Sequence, residues 1–499
     1  MKIFTSQQIR EGDAYTIGHE PVSSINLMER AADACVAWIK GRFQDEASFY
    51  IFCGTGNNGG DGLGMARLLG EAGYQKHTFI VFSSDHFSTD CKTNKHRLEH
   101  AYDSHLAAIH SEKDFPTIPP DAVIIDALFG TGLNRPLSGL AAKTVAWVNA
   151  QKNTVISIDL PSGLMADESS LEGKVVKATH TLSFQFYKLA FLIPENASFC
   201  GQVHILPIGI HEDYIKNTDA SVVLTDKEYI QSIYKPRNIF SHKGNFGHAL
   251  LIAGSYGKIG AAVLSAKACL KSGVGLLTCH IPKCGYDILQ TAIPESMCEV
   301  DADETRWIAM PERLEQYASI GIGPGIGKDA DTVKVLEKTL STIQKPVVLD
   351  ADALNIIGEK RLLKKIPANA LLTPHPKEFE RLFGKTENEF ERLHLQIQKS
   401  KEYHVYIILK GHYTCISTPE GPCYFNATGN AGMATAGSGD TLTGILTALL
   451  AQGYSPAETA IFGVYLHGLA GDLAAEDLSQ ESLIASDISD YLGEAFKTL

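Results

Sequence analysis

A short apolar run that stops on glycine or aspartate, followed by a helix-length stretch, recurs along most of the chain and limits what it can fold into. Residues 48–53 lead into Gly54-Thr-Gly-Asn-Asn-Gly-Gly-Asp-Gly62. Residues 122–128 carry Asp126 and lead into Gly130-Thr-Gly-Leu-Asn-Arg-Pro136, and residues 154–160 carry Asp159 and lead into Pro161-Ser-Gly163. Continuous apolar runs separated by helices are the signature of parallel strands buried on both faces. With further strands at 78–82, 181–184 and 203–207, two helices within 5–40 joined near Pro21, and a helix from Leu63 to about Glu71, the expected N-terminal fold is a doubly wound parallel sheet. Ligands of such sheets bind at the carboxyl ends of the strands.

The pattern then repeats. After a polar stretch at 211–218 a boundary near 220 is expected, with a bridging helix at 225–234 and a second series of strands that end in special residues. These are 248–253 before Gly254-Ser-Tyr-Gly-Lys-Ile-Gly-Ala-Ala262, the run 320–327, Asp350 and Asp352 within 347–355, His375 within 371–378, and Lys410 with Gly411 at the end of 405–411. A hairpin is expected from 413–417 and 422–426, beside a mostly parallel sheet. The last motif is Asn430-Ala-Gly-Met-Ala-Thr-Ala-Gly-Ser-Gly-Asp-Thr-Leu-Thr-Gly444. Leu442, Ile445, Leu446, Leu449 and Leu450 keep helical spacing and Gly453 stops the run, so a helix should begin near Gly439 or Asp440. The N–H groups of Ala436, Gly437, Ser438 and Gly439 would then make an anion site. Asp440 is either a first-turn helix acid or a base for a hydroxyl attacking phosphorus.

Charge and length narrow the function. A chain of 499 residues with net charge −13 has two or three cores to fill and no basic stripe for nucleic acid. No run is apolar and long enough for a membrane span or a signal peptide, so small-molecule chemistry in the cytoplasm is expected. Ten scattered cysteines without a Cys-x-x-Cys pair read as core residues in a reducing compartment.

Several residues carry two readings. Gly54, Gly56 and Gly59 fit a dinucleotide fingerprint with Asp85 as a ribose ligand, but Asn57, Asn58 and Asp61 make that loop polar and acidic where a pyrophosphate would approach. Asn58, Asp126 and Ser162 offer oxygens to a hard cation, and Gly130 to Arg135 could hold phosphate. Read alone, Asp126 and Asp159 are turn caps, His375 a turn histidine, Lys410 a solvated strand end, and Asp350 and Asp352 helix caps. Gathered on the edge of their own sheet, Asp126 and Asp159 with the glycine loops make one site, and His375, Lys410, Asp350 and Asp352 with Asn430–Gly444 make a second.

Asn57-Asn-Gly-Gly-Asp-Gly62, Asp126 with Gly130-Thr-Gly, and Asp159-Leu-Pro-Ser-Gly163 resemble the YjeF N-terminal family, the NAD(P)H-hydrate epimerases, over about 1–215. The resemblance implies a Rossmann-like three-layer αβα domain. It also implies that Asn57, Asn58, Gly59, Gly60, Asp61, Gly130, Thr131, Gly132, Leu133, Asn134, Arg135, Pro136 and Asp159 bind hydrated nicotinamide nucleotide, with Asn58, Asp126 and Ser162 around potassium. Asp-Ala-Asp-Ala-Leu-Asn355, Thr-Pro-His-Pro376 and Gly-Met-Ala-Thr435 with Gly439-Asp440 resemble the ribokinase-like superfamily, in its YjeF C-terminal NAD(P)H-hydrate dehydratase branch, over about 225–499. That implies Ala261, Gly325, His375 and Asp440 at the hydrate, and Lys410, Gly411, His412, Tyr413, Thr414 and Gly439 at ADP or ATP with Mg2+. Ala436 stands where glycine is common in that pattern.

Hydroxide is a poor leaving group and phosphate a better one. The expected chemistry is therefore proton removal by Asp440 as the hydrate hydroxyl attacks the terminal phosphoryl, then loss of phosphate to restore NADH or NADPH. An epimerase in residues 1–218 using Asp159 would supply the epimer that the dehydratase in residues 222–499 accepts, and a homo-oligomer is expected. Two other classes stand beside this one. A kinase of a hydroxymethylpyrimidine-type alcohol with a nucleotide-binding regulatory module would leave a stable phosphorylated product. A non-enzymatic binding protein would leave Asp159 and Asp440 without work.

Overall fold

The computed structural model describes residues 1–44, 46–82, 84, 86–101 and 105–499. Two compact units emerge: residues 2–221 with 388–390, and residue 1 with 222–387 and 391–499. The first holds β1 (Lys2–Ile3), β2 (Ser48–Cys53), β3 (Gln75–Val81), β4 (Leu106–Ile109), β5 (Val123–Ala127), β6 (Val155–Ile158), β7 (His180–Phe184) and β8 (Gln202–Leu206). Its sheet has the order β4-β3-β2-β5-β6-β7-β8, parallel throughout. Side chains alternate across it. Phe49, Ile51, Cys53, Ile125 and Ala127 pack on Ala32, Cys35, Leu63 and Ala66 of helices Ser24–Lys40 and Asn57–Glu71. Tyr50, Phe52 and Ile124 pack on Val145 and Val148 of helix Gly139–Ala150 on the other face. These are the three layers expected.

The sequence reading put Gly54 to Gly62 in a loop and began the helix at Leu63, whereas the helix already starts at Asn57. Close packing is the reason. A Cβ on Gly59 would sit 1.9 Å from the Gly54 carbonyl oxygen, and one on Gly62 would meet Ala127 and Cys53. The glycines let the first turns lie against the sheet. β4 was not anticipated, because Leu-Ala-Ala-Ile is half exposed at an edge and lacks β-branched alternation.

The second unit contains β9 (Val222–Thr225), β10 (His248–Ile252), β11 (Leu276–Ile281), β12 (Met297–Val300), β13 (Ser319–Ile322), β14 (Val347–Leu349), β15 (Leu371–Leu372), β16 (Tyr406–Leu409), β17 (Thr414–Ser417) and β18 (Cys423–Asn426). They run β9-β18-β17-β16-β15-β14-β13-β10-β11-β12. Pairing is parallel from β12 to β16 and antiparallel in the hairpin β17–β18 and its join to β16. One face packs Leu250, Ile320, Leu349 and Ile407 on Leu336 and Leu354, and the other packs Val348, Leu371 and Ile408 on helix Ser438–Ala451.

That helix is buried from Thr441 to Ala451, so its polar side chains need partners. Thr443 Oγ1 donates to Asp350 Oδ2 at 2.8 Å and Thr447 Oγ1 to the Thr443 carbonyl at 2.7 Å. Gly444 lets it cross helix Ile259–Lys271, since a Cβ there would stand 2.1 Å from the Ser265 carbonyl oxygen. Among the described residues no helix is long and apolar enough to cross a membrane, and all ten cysteines are free thiols.

Candidate functional site

The first sheet reverses its strand order between β2 and β5, and a crevice opens at the carboxyl ends of the strands there. In the first unit a cavity of about 350 Å³ is lined by Asn57, Asn58, Asp61, Gly130, Thr131, Gly132, Leu133 and Asp159, joined by Arg10, Asp13 and Lys188. Asp159 follows β6 with φ at 65°, a left-handed backbone that costs a non-glycine residue about 1–2 kcal/mol. Its surroundings hold it there. The Asp159 N–H donates to the Leu182 carbonyl at 2.7 Å, Oδ1 pairs with Lys188 Nζ at 2.9 Å, and Oδ2 accepts the Thr131 N–H at 2.9 Å. Burial opposes its charge, but Lys188 and Thr131 outweigh burial and hold the carboxyl below its ordinary range. Lys188 is fully buried and also donates to Ser183 Oγ at 2.6 Å and the Phe184 carbonyl at 3.0 Å.

The other two acids on the cavity behave differently. Burial, then Asp159, raises Asp13 to about 6, with Lys188 pulling the other way. Burial, then Asp159 and Asp13, pushes Asp61 well above the usual carboxylate range. Asp126 lies behind the wall and is saturated: Oδ2 accepts Ser157 Oγ and the Ser162 N–H at 2.8 Å each, and Oδ1 accepts Ser162 Oγ at 2.5 Å. Both polar atoms of the Asn58 amide are buried without a hydrogen-bond partner among the described residues.

Not every expected residue reaches this cavity. Gly59 and Gly60 pack on Gly54, Met28 and Cys91 instead of facing it, while Asn134, Arg135 and Pro136 are exposed and off its wall. Asp85 lies outside the described residues. Asp13, Arg10 and Lys188 escaped the sequence reading because no glycine motif flanks them.

In the second unit a cavity of about 550 Å³ is lined by His375, Lys410, Gly411, His412, Thr414 and Gly439, with Asn430, Ser438 and His467. Tyr413 is not on its wall and turns its ring edge to His412. Lys410 is no solvated strand end, since Nζ stands 3.0 Å from the buried Asp350 Oδ1. Asp350 occupies an N-cap position, yet its carboxylate serves Lys410 and Thr443 and leaves the helix N–H groups alone. His375 does cap: Nδ1 accepts from the N–H groups of Lys377 and Glu378 at 3.1 and 3.3 Å. Burial, then Lys410, lowers its pKa and keeps the ring neutral. His467 is pushed down to about 4 by burial, and Nε2 lies 3.0 Å from the Ser438 carbonyl oxygen.

The glycine-rich turn enters the helix one residue earlier than expected, at Ser438, with Gly437 at φ 89°. Of the four N–H groups expected to be open, that of Ser438 meets the Thr435 carbonyl at 3.4 Å. Ala436 is exposed. Asp440 makes no ion pair among the described residues; burial, then Asp350, with Lys410 opposing, raises it to about 7. Ala261 and Gly325 adjoin one another, 3.1 Å from Ala261 Cβ to a Cβ built on Gly325, beside Lys258, whose Nζ meets Asp352 at 3.1 Å. These two and Asp440 lie off the 550 Å³ cavity.

The NAD(P)H-hydrate dehydratase family matches residues 249–494 and the YjeF-related protein N-terminus family matches residues 24–190. The chain is 35% identical to the bifunctional NAD(P)H-hydrate repair enzyme Nnr of Moorella thermoacetica, covering 100% of this chain and 97% of that one, and 31% identical to the Escherichia coli protein of the same name, covering 97% and 92%. Among solved structures, an ADP/ATP-dependent NAD(P)H-hydrate dehydratase from Bacillus subtilis, co-crystallized with ATP/Mg2+, is 32% identical with a TM-score of 0.50, covering 56% of this chain and 98% of that one. A ribokinase-like superfamily protein from Enterococcus faecalis is 30% identical with a TM-score of 0.51, covering 56% and 97%.

Proposed function

The chain belongs to the bifunctional NAD(P)H-hydrate repair enzymes, and from that premise we propose that residues 1–218 interconvert the R and S hydrates of NADH and NADPH while residues 222–499 dehydrate the S form at the expense of ADP or ATP. One observation carries the second half. Asp440 is a carboxylate without a cationic partner among the described residues, at the start of a buried helix whose first turn borders the nucleotide-sized cavity. Such a group can accept the hydrate's hydroxyl proton as the oxygen attacks the terminal phosphoryl. N–H groups at the helix start and Lys410 then offset charge on the phosphoryl oxygens. The phosphate formed departs as the ring nitrogen's lone pair forms a C=N bond, and loss of a proton from the adjacent ring carbon to water then restores the C=C bond and returns the pair to nitrogen. A divalent ion here would be held mainly by nucleotide phosphates, as Mg2+ commonly is.

In the first unit Asp159, ionised through Lys188, takes an acid/base role in epimerisation, accepting a proton from the water that adds to the hydrate carbon, and the Gly130–Leu133 turn binds phosphate. Potassium fits the edge behind it, because the orphaned Asn58 oxygen needs a partner and three hydrogen bonds already spread the Asp126 charge. Asn58, Asp126 and Ser162 would hold the ion, which would offset substrate phosphate charge. Free thiols throughout support a cytoplasmic enzyme.

The test is incubation of mixed hydrate epimers with ADP or ATP, following recovery of reduced-nicotinamide absorbance and release of phosphate. Equal yields of both and complete consumption of the pool are expected. A phosphorylated product that persists would favour an alcohol kinase instead.

A further inference from the structure

Helix Ser6–His19 precedes the sheet, and no sequence motif marks it, yet it supplies Ile9, Arg10 and Asp13 to the wall of the first cavity. Its placement is firmly set. Thr5 and Gln8 close a capping box, Asp167 Oδ2 accepts the N–H and the hydroxyl of Ser6 at 2.9 and 2.7 Å, and Tyr214 OH donates to the Gln8 carbonyl at 2.6 Å. Gly12 lets the Tyr214 ring lie flat on the helix, since a Cβ there would be 2.9 Å from Cε1. These contacts fix the helix about its axis and so fix where the next residue, Asp13, stands.

Three carboxylates and one buried lysine meet on this cavity, and they are not equivalent. Both oxygens of Asp159 are engaged, by Lys188 and by the Thr131 N–H. Asp61 lies in the second turn of a helix against the sheet and is almost wholly buried. Asp13 and Asp61 both border the open space with neither a lysine nor a backbone donor bonded to them among the described residues, and Asp13 is the less buried of the two. We propose that Asp13 is the proton donor of the epimerisation, giving its proton to the hydrate's hydroxyl oxygen; this rests on the epimerase reading of the first unit. As the C–O bond breaks, the ring nitrogen's lone pair forms a C=N bond and the oxygen leaves as water. Water then adds to the opposite face of that carbon, its surplus proton returns to the site's carboxylates, and nitrogen recovers its pair.

The charged and titratable groups around Asp13 are Arg10 on its own helix, Asp61 and Asp90 from the neighbouring helices, Asp159 after β6, Lys188 after β7, and Tyr214. Burial and Asp159 favour its protonated form and Lys188 opposes them. A carboxyl at about 6 still carries a proton in a useful fraction of molecules near neutrality.

The experiment measures epimerase kcat and KM from pH 5 to 9 for the full chain and for Asp13→Asn and Asp13→Glu, with ADP-dependent dehydration of the S hydrate and near-ultraviolet circular dichroism as folding controls. Wild-type kcat/KM should fall above a limb near 6. Asp13→Asn should lose on the order of a hundredfold or more in kcat with KM changed only a few-fold, and should lack the limb. Asp13→Glu should recover much of the rate with a displaced limb. Epimerase activity of Asp13→Asn within fivefold of wild type, or the same limb persisting in its residual activity or in Asp13→Glu, would overturn the assignment and leave the epimerase reading standing. A wild-type chain that does not interconvert the hydrates at all would overturn both.

Discussion

Replacing Asp440 with Asn should abolish dehydration and at the same time stabilise the second unit, in a manner that depends on pH. In the folded chain its carboxyl is raised from 3.8 to about 7, so the folded state binds more protons than the unfolded one between those values and stability must fall as pH rises through them. The full rise corresponds to roughly 4 kcal/mol. Part of the side chain reaches solvent, and water and Lys410 relax around the charge, so a gain of about 1–3 kcal/mol for the variant is the working expectation. Below pH 4 both chains carry a neutral group and the gain should vanish. Above pH 7 it should be complete. The assay is urea unfolding at pH 4.5 and pH 8, with the second unit's transition identified by its shift in ADP, alongside dehydration of the S hydrate. A variant no more stable at pH 8, or equally stabilised at both pH values, would refute the electrostatic argument. Dehydration surviving within a few-fold would refute the base assignment.

Asp159→Ala should leave dehydration of the S hydrate intact but stop a mixed pool from being consumed faster than the epimers interconvert spontaneously; rapid complete consumption would remove Asp159 from the mechanism. Lys188→Met should destabilise the first unit by about 3–5 kcal/mol, because Asp159 is then buried without its cation, and Asp159→Asn added to it should recover much of the loss in a double-mutant cycle. No recovery would mean that the lysine acts through packing. Fragments 1–218 and 222–499 should each fold and keep one activity, since each holds its own sheet and crevice; a folded C-terminal fragment that binds ADP yet dehydrates only when the other is added would contradict this. Replacing potassium by a bulky organic cation should weaken hydrate affinity in epimerisation while dehydration, as internal control, stays constant, and unchanged epimerase kinetics would reject the site at Asn58.

What was legible in the sequence was the position of polar residues at strand ends and glycine turns. Asp159 and Lys410 follow apolar runs and Asp440 a glycine turn, and helices on both faces of each sheet put its parallel strand ends on one edge, so these positions were legible from local pattern alone. Asp13 and Lys188 were not, because what makes them special is burial beside Asp159, a property of long-range packing. His467 is another such residue, a histidine within a long apolar helix whose contact with Ser438 joins positions 29 residues apart. The edge strands β4 and β12 also escaped, as neither is buried enough for composition to mark it. The glycines of Asn57 to Gly62 were read as ligand contacts, yet Gly59 and Gly60 serve close packing of the helix. Sequence cannot tell these two uses of glycine apart.

The two units, which share no strand order, divide charge in the same way. In the first, Lys188 holds Asp159 as an anion and Asp13 has no cation of its own among the described residues; in the second, Lys410 pairs with Asp350 and Asp440 has no ion pair among the described residues. Where two acids share a low-dielectric edge and a lysine is bonded to one, the other feels both burial and a neighbouring negative charge. The unpaired acid is then driven toward neutrality, which is where a group must stand to exchange protons at working pH. The direction of exchange need not be the same. A carboxyl near 6 facing a hydroxyl that must leave as water is of most use when it holds its proton, whereas one near 7 facing a hydroxyl that must attack phosphorus is of use when it has lost it. Nucleotide phosphate beside Asp440 would push its carboxyl higher still, while Lys410 and a bound divalent cation would bring it back. Dehydration should therefore gain from rising pH over the range in which epimerisation declines, and the pH at which the coupled repair is fastest should lie between the limbs of the two half-reactions.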